Sequence, residues 1–434
     1  MSSIYDDPDA TEEQLFAELP EPLNISPSTI LNEYENINVL APLVRCSKLP
    51  FRHLVSLYET HITYTPMILA EEFSRAQIAR ISDFSTSSNE RGVFWLNPSS
   101  GSSSTTTSRK GKEVIRVSHP NDLQKYNLSH DRNDDDEQQQ QQQQHITYHQ
   151  SHYGNGTRRP FQPTKPNKQS ELVKGKLIAQ FASPNSKSLV DAAELVSPYV
   201  DGIDLNCGCP QRWAYNEGIG CALLRKPELI KDMVKSVKDR MGHNWSVSIK
   251  IRIDPDLKNT DTLIRNALQA GISYLTIHGR TRHQPSTDPV NLDGIKFAVE
   301  TVGGQVPCIG NGDIWTYDDV KEMREKSGVK GVMAARGLLA NPALFSNYSI
   351  TPSHAISQFI SISNSYGLIF PLFHRHLSYM LENNFTTRNE KVWFNSLSSS
   401  TAAIDWLENR GLDWKSIRGS QWDGRRGRGI LSNT

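Results

Sequence analysis

The chain has 434 residues, enough for one large domain and a smaller one. Apolar residues make up 37% and mean hydropathy is −0.52, which implies that part of the chain stays out of any core. The formal charge is zero, yet residues 1–36 hold nine acidic residues and no Lys or Arg, so the remainder carries 47 basic against 38 acidic residues and suits a polyanionic partner.

No run approaches the ~18 apolar residues of a membrane helix. Met1–Asp9 has neither the apolar stretch of a secretory signal nor the arginines of a transit peptide. Five cysteines, an odd number, fit free thiols in a reducing compartment. The expectation is an intracellular protein, cytoplasmic or nuclear, without a membrane partner.

In chain order, short β-branched runs alternate with helical segments. Ile37–Val44 reads as strand and Leu49–Tyr58 as helix; Ile62–Ile68 as strand and Glu71–Ile81 as helix. Residues 86–170 interrupt the pattern with Ser/Thr clusters, the acidic run Asp134–Glu137 and seven consecutive glutamines, Gln138–Gln144. Such a composition cannot offset chain entropy, so the insertion is predicted to be disordered. An apolar island at Val93–Leu96 is its one stretch with material to dock, and is assigned to the insertion with the rest.

The alternation then resumes with strand Leu177–Ala182, helix Ser186–Val196, strand Gly202–Asn206 and helix Pro227–Met241, whose proline sits in a favoured first turn. Strand Val247–Ile253, helix Thr262–Ala270, strand Tyr274–His278 and helix Leu292–Val302 follow. Strand Val306–Gly310, helix Tyr317–Lys326 and strand Gly331–Ala335 complete eight strands, with Pro342–Phe345 taken to start the last helix. Eight near-continuous apolar strands alternating with helices predict a (β/α)8 TIM barrel. A doubly wound sheet needs a Gly-rich turn after its first strand, and Ala41-Pro42-Leu43-Val44 is not one. From Ser353 onward only helices are read. The predicted organisation is an acidic tail (1–36), a barrel (37–350) with its insertion (86–170), a small C-terminal helical domain (351–412) and a basic flexible tail (413–434).

Reactive groups in a barrel belong at the C-terminal strand ends. There stand Gln180, the run Asn206-Cys207-Gly208-Cys209-Pro210, Lys250 with Arg252, His278-Gly279-Arg280-Thr281-Arg282, Asn311-Gly312-Asp313 and Ala335-Arg336-Gly337. The last two turns commonly build a phosphate site in this fold. Gly310, Gly312 and Gly337 let backbone approach closely and Arg336 adds charge; the alternative is that the glycines only turn the chain. Cys207 and Cys209 with Cys221 and Cys46 admit a metal site, but C-x-C is tighter than ordinary zinc pairs, and no metal is predicted. Free cysteines are usually buried fillers. Cys209, in a turn past the strand end, is placed instead to act as nucleophile or acid. Lys250 needs an anionic or electron-rich partner, or else a salt bridge to Asp204 or Asp313. His278 is open between a satisfied core histidine and a functional one.

These residues resemble the tRNA-dihydrouridine synthase family. Asp204-Leu205-Asn206-Cys207-Gly208-Cys209-Pro210 is similar to its D-x-N-x-G-C-P signature. Lys250-Ile251-Arg252, Thr276-Ile277-His278-Gly279-Arg280-Thr281-Arg282 and Asn311-Gly312-Asp313-Ile314 follow in the family's order. Val44–Arg52 and Tyr64-Thr65-Pro66-Met67-Ile68 look most like the eukaryotic branch acting at positions 20a and 20b; the sister branch acting at 16 and 17 shares the second element. The resemblance implies a flavoenzyme that reduces uridine to dihydrouridine in the D-loop of tRNA, with FMN recharged by NADPH or NADH. It implies that Pro42, Leu43, Val44, Gln180, Lys250, His278, Asn311, Asp313, Ala335 and Arg336 line FMN, joined by Gly312 from the phosphate reading. Asn206 would contact the uracil and Cys209 protonate C5, while Arg280 and Arg282 would grip the tRNA. A monomer is expected. Two departures stand out: Leu43 replaces the usual methionine, a near-isosteric change, and the insertion stands where the family has a short connection. The competing readings are a flavin barrel reducing a small enone and a tRNA-binding protein without catalysis.

Overall fold

A computed structural model describes residues 20–99 and 169–412. Eight parallel strands run in chain order: β1 (Ile37–Leu40), β2 (Ile62–Tyr64), β3 (Lys176–Ala182), β4 (Gly202–Cys207), β5 (Val247–Arg252), β6 (Tyr274–His278), β7 (Cys308–Asn311) and β8 (Gly331–Ala334). Each pairs with its neighbour, and β8 returns to β1 with Ile37 opposite Gly331 and Leu40 opposite Ala334. The sheet therefore closes into the predicted (β/α)8 barrel and leaves no edge. Strand residues are buried on both faces: Leu205, Ile249 and Ile277 face the surrounding helices, while Asp204, Ser248, Lys250 and Tyr274 alternate inward.

The second predicted strand is interrupted. Pro66 has no N–H to donate to a ladder, and across the break the Gln180 amide donates to the Thr65 hydroxyl at 3.0 Å in place of a strand carbonyl. Pairing resumes at Ile68–Leu69, opposite Phe181 and Ala182.

Three predicted boundaries change. Part of the acidic segment is structural: Pro27–Glu33 is a helix capped by Ser26, and its Ile30 and Leu31 join the inner cluster of Ile37, Ile309 and Met333. The insertion also begins and ends in ordered structure. Val93–Leu96 pairs antiparallel with Glu171–Lys174, burying Phe94 and Leu96. Arg52, on the helix Leu49–Ser56, forms a buried ion pair with Glu90. These are apolar and charged contacts between residues far apart in sequence, which composition alone does not reveal. Finally, Pro342–Phe345 does not begin the last barrel helix; a short 3-10 turn covers Leu344–Ser346. That role falls to Ser353–Ser365, read above as helical domain, which packs on Leu49–Ser56 through Tyr58 to Gln358 at 2.6 Å and Tyr366 to His53 at 3.2 Å. Helices Phe370–Met380, Arg388–Ser396 and Ser400–Glu408 follow, joined around Phe394 and Trp406. The acidic segment before residue 20, residues 100–168 of the insertion and the basic tail from 413 lie outside the described residues.

Candidate active site

At the C-terminal rim, β5 to β8 surround a cavity of about 200 Å³ lined by Arg252, His278, Arg280, Asn311, Gly312, Asp313, Trp315, Ala335 and Arg336. Six of the eleven expected cofactor residues thus share one space: His278, Asn311, Gly312, Asp313, Ala335 and Arg336. Three guanidinium groups face it against the single carboxylate of Asp313. Arg280 bonds Asp313 at 2.5 Å, and Arg336 lies 3.5 Å away. Asp313 adopts a left-handed backbone, φ 51°, and also accepts from the Val290 amide at 3.1 Å. Its charge is spent on arginine and backbone, and the cavity keeps a positive excess. The backbone turns are tight. A Cβ on Gly337 would lie 2.0 Å from the Ile314 carbonyl oxygen, so no larger residue fits there.

His278 stands among cations. Burial, then the charges of Lys250, Arg252, Arg280 and Arg336, push its basicity far down, so the imidazole is neutral. Lys250 is buried, and burial lowers it to about 8, with Arg252 adding to the shift and Asp204 opposing it. The alternative of a salt bridge to Asp204 or Asp313 fails. Among the described residues Lys250 has no ion-pair partner, because Asp313 is held by arginines and Asp204 by Ser248 and Gln180. A buried ammonium without a partner calls for an electron-rich ligand.

Cys209 lies on the adjoining part of the rim, past the end of β4, half-buried against the small cluster of Ala182, Ala214 and Ile219. Cys207, two residues earlier, is fully buried among the outer core residues, and burial raises its thiol well above the usual range. The two sulfurs therefore serve different surroundings. Three ties hold the Cys209 turn. The Asn206 side-chain oxygen accepts from the amides of Gly208 at 3.1 Å and Cys209 at 2.9 Å. Arg252 donates to the Gly208 carbonyl at 3.0 Å and the Thr281 carbonyl at 2.9 Å. The Cys209 carbonyl accepts from the Cys221 amide at 2.9 Å, and Gly220 (φ 62°) allows the close crossing.

Several expected residues stand differently. Arg280 is 2% exposed and donates to Asp313 and the Asp288 carbonyl, so it is not available to a nucleic-acid backbone; it orders the cavity instead. Arg282 is half-buried, its guanidinium 3.3 Å from the centre of the Tyr215 ring. Gln180 has both ends of its amide engaged, by Asp204 and Asn206 at 2.8 Å each. Pro42, Leu43 and Val44 form the turn after β1; Leu43 is tied to Ser47, and Val44 stands exposed at the rim. Arg252, which the sequence places at the fifth strand end without a role, lines the cavity and ties the Cys209 turn. Its signal was available: two positions past Lys250, it shares that strand face.

Residues 39–97 and 134–402 match the family described as dihydrouridine synthase. A Mus musculus tRNA-dihydrouridine(20a/20b) synthase [NAD(P)+]-like protein is 37% identical over 88% of this chain and 91% of its own length. A Schizosaccharomyces pombe tRNA-dihydrouridine(20a/20b) synthase [NAD(P)+] is 35% identical over 86% and 87%. A Mus musculus tRNA-dihydrouridine(16/17) synthase [NAD(P)(+)]-like protein matches at 37% over 40% of this chain and 36% of its own.

Proposed function

This chain belongs to the dihydrouridine synthase family, and from that premise we propose that it reduces the C5=C6 bond of uridine at positions 20a and 20b of the tRNA D-loop, using FMN recharged by NADPH or NADH. The site choice rests on extent: similarity to the 20a/20b relatives runs through nearly all of the chain, whereas the 16/17 relative shares 40% of it.

One observation carries the chemistry. A half-buried thiol, held by Asn206, shares a barrel mouth with a cation-rich cavity and a buried lysine that has no ion-pair partner among the described residues. The residues fit a flavin mononucleotide. At about 200 Å³ the cavity is smaller than the ~300–1,000 Å³ of whole-ligand sites, and it suits the phosphate end of such a molecule. Arg336 and the backbone at Gly312 and Gly337 would hold that phosphate, while Lys250 and His278 would meet the polar edge of the ring. Pro42, Leu43, Val44 and Ala335 would border it.

When bound, reduced flavin supplies the hydride for C6. Cys209 donates the thiol proton to C5, which with the hydride at C6 turns the CH=CH of uridine into CH2–CH2 and leaves a thiolate to be reprotonated from solvent. Asn206 orients the uracil and fixes the thiol's turn. The base must leave its stack to enter the mouth. Arg282 on Tyr215, the exposed Trp213 and the C-terminal helices offer cationic and aromatic surface to the surrounding RNA. The proposal includes a monomer in a reducing intracellular compartment, where free cysteines persist.

The test is direct. Purified protein, NADPH and an unmodified tRNA transcript are incubated, and dihydrouridine is mapped by mass spectrometry of nuclease fragments. Product at 20a and 20b is expected. Product at 16 and 17 moves the chain to the sister specificity, and no product in any tRNA ends the proposal.

A further inference from the structure

Beneath the Cys209 turn runs a buried chain of side-chain hydrogen bonds with a fixed acceptor at one end and fixed donors at the other. Asp204, fully buried in the barrel, accepts from the Ser248 hydroxyl at 2.6 Å and from Gln180 Nε2 at 2.8 Å. Gln180 Oε1 accepts from Asn206 Nδ2 at 2.8 Å. Asn206 Oδ1 then accepts from the Gly208 and Cys209 backbone amides. An ionised carboxylate can only accept, and a backbone N–H can only donate. The two amides between them are satisfied in one orientation only, and reversing either sets donor against donor.

Resting on the reading above, we propose that Asp204 is a positioning residue that imposes the polarity of the Gln180–Asn206 pair, and through it the placement of the Cys209 turn and of the Asn206 amide presented to the uracil.

Asp204 must be a carboxylate for this. Burial raises it to about 6, opposed by its bonds from Ser248 and Gln180 and by the charge of Lys250, which leaves it ionised at neutral pH. Asp204→Asn keeps size and both neighbours but removes the obligation. The introduced carboxamide can turn its NH2 toward Gln180, and the inversion propagates until the Asn206 NH2 faces the two backbone N–H groups. Combining Asp204→Asn with Gln180→Glu restores the order. The carboxylate now on β3 accepts from the carboxamide on β4 with one oxygen and from Asn206 with the other, which returns Asn206 Oδ1 to the backbone.

The first measurement is the alkylation rate of Cys209 by iodoacetamide in cofactor-free protein. The other four cysteines are buried, so the reagent reads this thiol. Asp204→Asn should release the turn and raise the rate severalfold, and the double variant should return toward the original value. The second measurement is dihydrouridine formation. Disturbing one buried donor should lower kcat by about tenfold or more in Asp204→Asn, while rescue in the double variant is read from the alkylation rate alone. Mere loss of packing at Asp204 predicts no such rescue. Gln180→Met cuts the relay in the middle with Asp204 still bonded to Ser248, and should reproduce the faster alkylation even if Asp204→Asn fails to fold. An unchanged alkylation rate in Gln180→Met, or a double variant alkylated no more slowly than Asp204→Asn, overturns the inference. A wild-type protein that makes no dihydrouridine overturns the functional reading instead and leaves the alkylation comparison standing.

Discussion

Glu90 offers a sharp test of how the start of the insertion serves the barrel. Its carboxylate pairs with the Arg52 guanidinium, which is 1% exposed, and also accepts from the Thr86 hydroxyl at 2.6 Å and the Ser87 amide at 3.2 Å. In Glu90→Ala the guanidinium stays buried without its counter-ion. Breaking such a pair from one side costs about 3–5 kcal/mol. Arg52 keeps the carbonyls of Ser47 at 2.7 Å and Ser85 at 2.6 Å, which places the cost at the lower end. At ~2–4 °C per kcal/mol for a domain of some 150–250 residues, a loss of about 3 kcal/mol lowers the melting temperature by roughly 6–12 °C. Circular dichroism melts of Glu90→Ala, Arg52→Met and Arg52→Met/Glu90→Leu form the assay. The double variant should recover most of the loss, since a pair of apolar groups leaves no orphaned charge. Refutation is simple: Glu90→Ala melts with the unmodified chain, or the double variant is no better than the sum of the two singles.

Four further outcomes are expected. Cys209→Ala should retain the flavin absorbance of the purified protein while dihydrouridine formation falls by about 10²–10⁴-fold; activity at the original level removes the proton-donor role. Arg280→Ala should weaken FMN binding by about tenfold to a hundredfold, the equivalent of one charged hydrogen bond, with tRNA affinity unchanged in a filter-binding assay; loss of tRNA binding alone would return Arg280 to the RNA surface. Lys250 is held at about 8, below its ordinary 10.5, so the unfolded chain binds more protons between those values and this residue's contribution to stability rises with pH across that window. Lys250→Met should accordingly raise the melting temperature of cofactor-free protein at pH 7 and narrow the gap toward pH 10, with activity abolished; a lower melting temperature at pH 7 contradicts the assignment of its shift to burial. Joining Ser99 to Gln169 by a short turn should leave a folded, flavin-binding protein, because Val93–Leu96 and Glu171–Lys174 already pair as a hairpin, whereas a deletion that also removes 89–99 should yield unstable protein in the same melts.

The repeating order of strands and helices was legible because it is written locally. Runs such as Tyr274–His278 and Gly331–Ala334 are apolar enough to be buried on both faces, and the turns after them carry glycine and charge together. The strand-end residues His278, Asn311, Gly312, Asp313, Ala335 and Arg336 could be named without coordinates, since a parallel barrel brings all such ends to one rim. Tertiary contact decided what each side chain does there. Two arginines in one turn, Arg280 and Arg282, look alike in sequence; one is enclosed with Asp313 and the other stacks on Tyr215. Gln180 and Asp204 lie on different strands, and only the pairing of β3 with β4 sets them in one hydrogen-bonded chain. The roles of Glu90, Val93–Leu96 and Ser353–Ser365 were hidden for the same cause. Periodicity and turn chemistry act over a few residues and survive reading in one dimension, whereas ion pairing, desolvation and packing depend on distances that exist only once remote segments have met.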